Sequence, residues 1–106
     1  MSTEIELPIE PLYSSLATDP DMAELLEMFV ADMPLHIAAI EAAFKAGDRE
    51  ELQRLVHRLK GSAPGYGFST IGASAGALEI AISYSDQDTI AKRADRLLFH
   101  CRRVRN

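Results

Sequence analysis

The stretch Gly47-Asp48-Arg49-Glu50-Glu51-Leu52-Gln53-Arg54-Leu55-Val56-His57-Arg58-Leu59-Lys60-Gly61-Ser62-Ala63 decides the fold. Leu52, Leu55, Val56, Leu59 and Ala63 recur at steps of three and four, the period of a helix with one apolar face. Gly47 ends whatever precedes it, and Asp48 followed by Glu51 is a capping-box-like pair that opens a new helix at once. So short a link forces an antiparallel hairpin. Pro64, Gly65 and Gly67 should bend or end the second helix.

Toward the N-terminus, Met22, Leu25, Leu26, Phe29, Met33, Ile37, Ile40 and Phe44 form an apolar stripe on one helical face. Asp19 before Pro20 is its expected N-cap, with proline in the first turn where a missing N–H is harmless. Pro34 falls inside the stripe. It removes the bond to the Val30 carbonyl and predicts a kink or a split into two coaxial pieces. Residues 1–19 read as an N-terminal extension, with one short turn expected at Leu12–Leu16.

Toward the C-terminus, a Ser69/Thr70 cap introduces a third helix with Ile71, Ala75, Leu78 and Ile82 inward. Gly72, Ala73, Ser74, Gly76 and Ala77 leave room for a neighbouring helix. Ser85 with Asp88 repeats the capping pattern, and Ile90, Ala94, Leu97, Leu98, Cys101 and Val104 complete a fourth helix. No stretch alternates with period two. The expected fold is all-α: an antiparallel up-down-up-down four-helix bundle over residues 20–106, with a short N-terminal extension over residues 1–19.

At 106 residues the chain is one average domain, without room for a second catalytic lobe. Hydrophobic residues at 47% and charged residues at 25% are the mix of a chain that folds. The net charge of −5 argues against bulk nucleic-acid or anionic-membrane binding. That average conceals a split: residues 1–48 carry −9 and residues 49–106 carry +4. An anionic partner is therefore expected at the second half. A lone Cys101, a start without a signal peptide's basic and apolar regions, and the absence of a membrane-length apolar run point to a cytoplasmic protein with no direct membrane contact.

With about 100° per residue, His57 lands about 140° from Leu52, away from the apolar face. Its outward neighbours are Gln53, Lys60 and Gly61, with Arg54 and Arg58 on the flank. Gly61 is the unusual member. A glycine inside a helix costs about 1 kcal/mol relative to alanine, and the core pattern continues past it, so the gain must be space beside the imidazole. Lys60, one turn away, would offset negative charge on what arrives. A tetrahedral phosphoryl group fits.

His57-Arg58-Leu59-Lys60-Gly61-Ser62-Ala63, followed by Gly67, resembles the H-x-L-K-G-S-A signature of the histidine-containing phosphotransfer (HPt) domain. The similarity extends over about residues 20–106 through the glycine-aspartate break and the Ala77-Leu78-Glu79 stretch. It implies a two-component phosphorelay intermediate. His57 would take a phosphoryl group from a receiver-domain aspartate and pass it to another receiver aspartate, in hybrid sensor histidine kinases or response regulators. Lys60 would pair with the phosphoryl oxygens, Gly61 would give clearance, and Gly67 would set the turn after the histidine helix. Glu79 would hold imidazole Nδ1–H and leave Nε2 as nucleophile. Pro64 departs from the family's small residue.

Gln53, Arg54, Arg58, Lys60, Gly61 and Pro64 would face the receiver, together with apolar parts of the first two helices. The chain would need no cofactor or ATP site of its own, since Mg²⁺ is expected on the receiver. It would act as a monomeric carrier without kinase activity. The Met1 start and capped helices read as a free-standing protein, a piece of a hybrid kinase being the alternative. A receiver-binding adaptor that carries no phosphate is the competing function.

The remaining features have plainer readings. His36 and His100 lack a second ligand at zinc-like spacing, and Gly61–Gly67 lacks the P-loop pattern. Arg102, Arg103 and Arg105 complement a helix C-terminus, and Ser62 has no base at a serviceable spacing.

Overall fold

The computed structural model describes residues 10–106. Four helices form the bundle: α1 (Ala23–Lys45), α2 (Arg49–Ser62), α3 (Ser69–Tyr84) and α4 (Gln87–Arg102). Helix α1 packs on α2 and α4, α2 on α3, and α3 on α4. This closed ring of contacts is the all-α bundle expected from the stripes. Phe68, Met33, Ile40, Ile71, Leu78 and Leu97 lie at its centre with almost no exposed surface.

The hairpin at residues 45–49 follows from its glycine. Gly47 adopts φ +67, its N–H reaches the Phe44 carbonyl, and the Asp48 N–H reaches Ala43, closing α1 with two crossed bonds. Asp48 then caps α2 by accepting from the Glu51 N–H at 3.1 Å. The other half of the capping box is not made, because the Glu51 carboxylate is held by Arg54 instead.

Several local expectations need correction. Pro34 does not split α1, which runs unbroken through it. Leu25, expected in the apolar stripe of α1, is 45% exposed. Phe68, not Ser69 or Thr70, occupies the N-cap position of α3 and makes no side-chain cap; its buried ring fixes the entry instead. Asp86, not Ser85, caps α4 by accepting from Thr89 N–H at 2.9 Å, and Ser85 is instead the C-cap of α3, its N–H on the Ala81 carbonyl. Val104 leaves the fourth helix for a strand.

That strand belongs to a pairing the sequence pattern did not suggest. Strand β1 (Leu12–Tyr13) runs parallel to β2 (Val104–Arg105), with Leu12 opposite Val104 and Tyr13 opposite Arg105. Two residues per strand are too few to register as alternation. The expected turn near Leu12–Leu16 follows β1, at Ser15–Thr18. Asp19 accepts from Asp21 N–H at 2.9 Å and caps a short 3-10 turn, Pro20–Met22, that leads into α1.

The end of α2 continues as a second 3-10 turn, Ala63–Tyr66, and closes at Gly67 with φ +82. Gly67 and Phe68 return their N–H groups to Pro64 and Ala63, the same crossed closure seen at Gly47. Pro64 fits because Gly72 on α3 has no side chain, and a Cβ there would collide with the proline ring.

Candidate functional site

Two side chains of α2, His57 and Lys60, stand one turn apart and meet a single residue of α3, Glu79. The His57 ring is 70% exposed, whereas Glu79 is 18% exposed. Glu79 Oε2 lies 2.6 Å from His57 Nδ1, and Oε1 accepts from Lys60 Nζ at 3.1 Å. The Lys60 stem lies over Gly76 of α3, 3.7 Å from where a Cβ would stand, which is ordinary van der Waals contact.

The Lys60 ammonium, and next the His57 ring, hold the Glu79 carboxyl below the usual carboxylate range, against an opposing effect of burial. Glu79 is thus ionised and can only accept. The proton between the two residues belongs to His57 Nδ1, which fixes the tautomer. Nε2 has no hydrogen-bond partner among the described residues.

Gly61 has no atom within 4 Å of where a Cβ would stand, apart from its own helix and chain neighbours. Among the described residues nothing requires the glycine, and the space beside it is open. Gln53, Arg58 and Pro64 are exposed near this face. Arg54 is not a free cation: its guanidinium makes two bonds to Glu51, at 2.6 and 2.8 Å, and holds that carboxyl below its usual range. The expected basic surround therefore rests on Arg58 and Lys60, with Lys60 already bound to Glu79.

Beside Arg58, α1 and α2 enclose a groove of about 270 Å³. Leu25, Met28 and Phe29 line the α1 side with Asp32 and His36, and Leu55, Arg58, Leu59 and Ser62 line the α2 side; Tyr66 completes it. Met28 is 63% exposed. Sequence reasoning anticipated apolar parts of the first two helices here but did not single out Met28, Asp32 or Tyr66. Tyr66 stacks on Phe29 with ring centroids 4.6 Å apart, and Phe29 stacks in turn on Phe68 at 5.4 Å. The position of Tyr66 between two glycines was the only signal available.

His36 and Ser62 both line the groove. His100 lies away from this site. Burial, and then Arg103 and Arg96, lower its pKa, and its neutral Nδ1 accepts from Arg103 at 2.9 Å. Among the described residues no group of three or more His, Cys, Asp or Glu could hold a metal ion, and no helix is long and apolar enough to cross a membrane. The C-terminal arginines make specific bonds. Arg102 pairs with Glu41 at 2.9 Å and Arg103 donates to the Glu10 carbonyl at 2.8 Å.

No curated protein and no solved structure matches the chain at a significant level. A family model does, that of the Hpt domain, over residues 24–103. The match spans all of α2 and α3, and with them the histidine, lysine and glutamate that meet at the exposed face. The chain belongs to the Hpt domain family, whose members serve as histidine phosphotransfer modules in two-component phosphorelays.

Proposed function

We propose that His57 accepts a phosphoryl group from a phospho-aspartate on one receiver domain and donates it to an aspartate on another. The observation that carries this reading is Glu79, which holds Nδ1 at 2.6 Å and leaves an exposed Nε2 free. In the forward step the Nε2 lone pair attacks phosphorus and the N–P bond forms. The aspartyl O–P bond breaks, and its electron pair leaves with the carboxylate.

Nδ1 keeps its proton throughout. The ring becomes cationic, and the Glu79 carboxylate already faces that charge. No general base is needed, because imidazole is a competent neutral nucleophile near pH 7. Lys60, one turn from the ring, is placed to exchange its contact with Glu79 for the phosphoryl oxygens. Gly61 gives those oxygens room. Transfer of this kind depends on position and charge rather than covalent machinery.

The Mg²⁺ of the reaction is assigned to the receiver, along with the phospho-aspartate. The groove between α1 and α2 is where the receiver docks, with Leu25 and Met28 as apolar contacts and Arg58 as a positive rim. The test is incubation with a phosphorylated receiver. An acid-labile, base-stable phosphate should appear on the chain and be absent from His57→Gln. Stable binding of a receiver with no phosphate transferred would support the adaptor reading instead.

A further inference from the structure

Resting on the reading that a receiver docks beside His57, we propose that Ser14 is a positioning residue for that docking, acting through Tyr66. The family match begins at residue 24 and ends at residue 103. Strands β1 and β2 and the segment carrying Ser14 all lie outside it.

Ser14 is 7% exposed, the only buried polar residue among those described. Its hydroxyl donates to the Tyr66 carbonyl at 2.6 Å and accepts from the Leu16 N–H at 2.9 Å. The next residue repeats the grip, with Ser15 N–H donating to the Gly67 carbonyl at 3.0 Å. Gly67 is shaped to receive the segment: a Cβ there would run into both serine hydroxyls and the Leu16 nitrogen. The far end is fastened too. Leu12 N–H donates to the Arg103 carbonyl at 2.8 Å, and Arg103 Nε to the Glu10 carbonyl at 2.8 Å.

The clamped turn is the one that completes the groove. A carbonyl at the end of a short 3-10 turn has no helical partner, and Ser14 is the only partner of Tyr66 O among the described residues. Without that hydroxyl the carbonyl must rotate toward water to be satisfied. The ring carried by the same residue would then shift from its stack on Phe29, and Phe29 and Tyr66 both face the groove. His57 lies apart from this chain of contacts, because its ring is held by Glu79 on α3. The segment therefore tunes docking without touching the nucleophile.

The full chain and its Ser14→Ala variant separate docking from chemistry. Phosphoramidate, a small donor that needs no groove, should label His57 in both at rates within about twofold. Transfer from a phosphorylated receiver should need about three- to tenfold more receiver for half-saturation in Ser14→Ala, at an unchanged saturating rate, the range set by one lost buried hydrogen bond. Ring resonances of Tyr66 and Phe29 should shift and those of His57 should not.

An unchanged half-saturation, or an equal loss with both donors, overturns the role of Ser14. A wild-type chain that accepts phosphate from no receiver overturns the relay reading and the role of Ser14 with it. If Ser14→Ala does not fold, Arg103→Ala removes the side-chain fastening to Glu10 while keeping the backbone bond to Leu12, and should change half-saturation in the same direction by less. A folded Arg103→Ala chain with wild-type half-saturation would likewise count against the segment.

Discussion

Glu79 lies 2.6 Å from His57 Nδ1 through one carboxylate oxygen while the other oxygen holds Lys60. One side chain thus orients the nucleophile and parks the cation that the phosphoryl group will need. Glu79→Gln keeps an acceptor for Nδ1 but removes the charge facing the ring. Single-turnover transfer to His57 should slow by about tenfold, the size of a charge-assisted hydrogen bond reduced to a neutral one. A rate equal to wild type would show that the carboxylate charge has no part in transfer.

The same contacts set an acid limit. Because the folded state lowers the Glu79 pKa, its ionic contacts stabilise the fold at and above the ordinary carboxylate range. That contribution is lost as pH falls through the lowered value. Urea unfolding of wild type and Glu79→Gln should therefore differ at neutral pH and converge in acid. A difference that grows on acidification would contradict this sign.

Gly61 offers a prediction in which stability and activity move in opposite directions. A Cβ there meets nothing within 4 Å of the surrounding structure, so Gly61→Ala should stabilise α2, by up to about 1 kcal/mol. Bulkier Gly61→Val should fold as well and yet obstruct the space beside the ring. Thermal melts and receiver transfer measured on the same samples would check this. A destabilised Gly61→Ala would mean the glycine serves the helix rather than the approach to His57.

Arg58 and Arg54 should differ although they are four residues apart on one helix. Arg54 is committed to Glu51, whereas Arg58 lines the groove. Arg58→Glu should slow receiver association and reduce its salt dependence, and Arg54→Gln should change both by less. Stopped-flow association at low and moderate salt distinguishes the two.

Cys101 is 1% exposed, and burial pushes its thiol up to about 12. A thiol-specific reagent should react with the native chain only at the rate of global opening and rapidly in denaturant. Fast modification of the folded protein would contradict the packing of α4.

The four helices were legible because each announces itself with a stripe and a break, and Gly47-Asp48 supplied both signals at once. The errors fall where packing decides between equivalent local choices. Ser69 and Thr70 have the right chemistry for a cap, but the buried Phe68 ring determines where α3 begins. Leu25 has the right period for the core, yet it sits at the edge of the stripe and opens onto the groove. His57, Lys60, Gly61 and Glu79 were found through a contiguous motif and a family resemblance. The Lys60–Glu79 contact was not, since it joins two helices through residues 19 apart in the chain. Ser14 was invisible because its partner lies 52 residues away, and no local pattern encodes such a pairing.

The parallel pairing of β1 with β2 also has a mechanical meaning. Leu12–Tyr13 and Val104–Arg105 run in the same direction from opposite ends of the chain. Tension applied between those ends pulls one strand backward along the other, so it loads the ladder in shear rather than opening it like a zipper. The Leu12 and Ser14 contacts stand first in line, ahead of any helix of the bundle. A chain held under load would therefore loosen its groove while His57 and Glu79 still face each other.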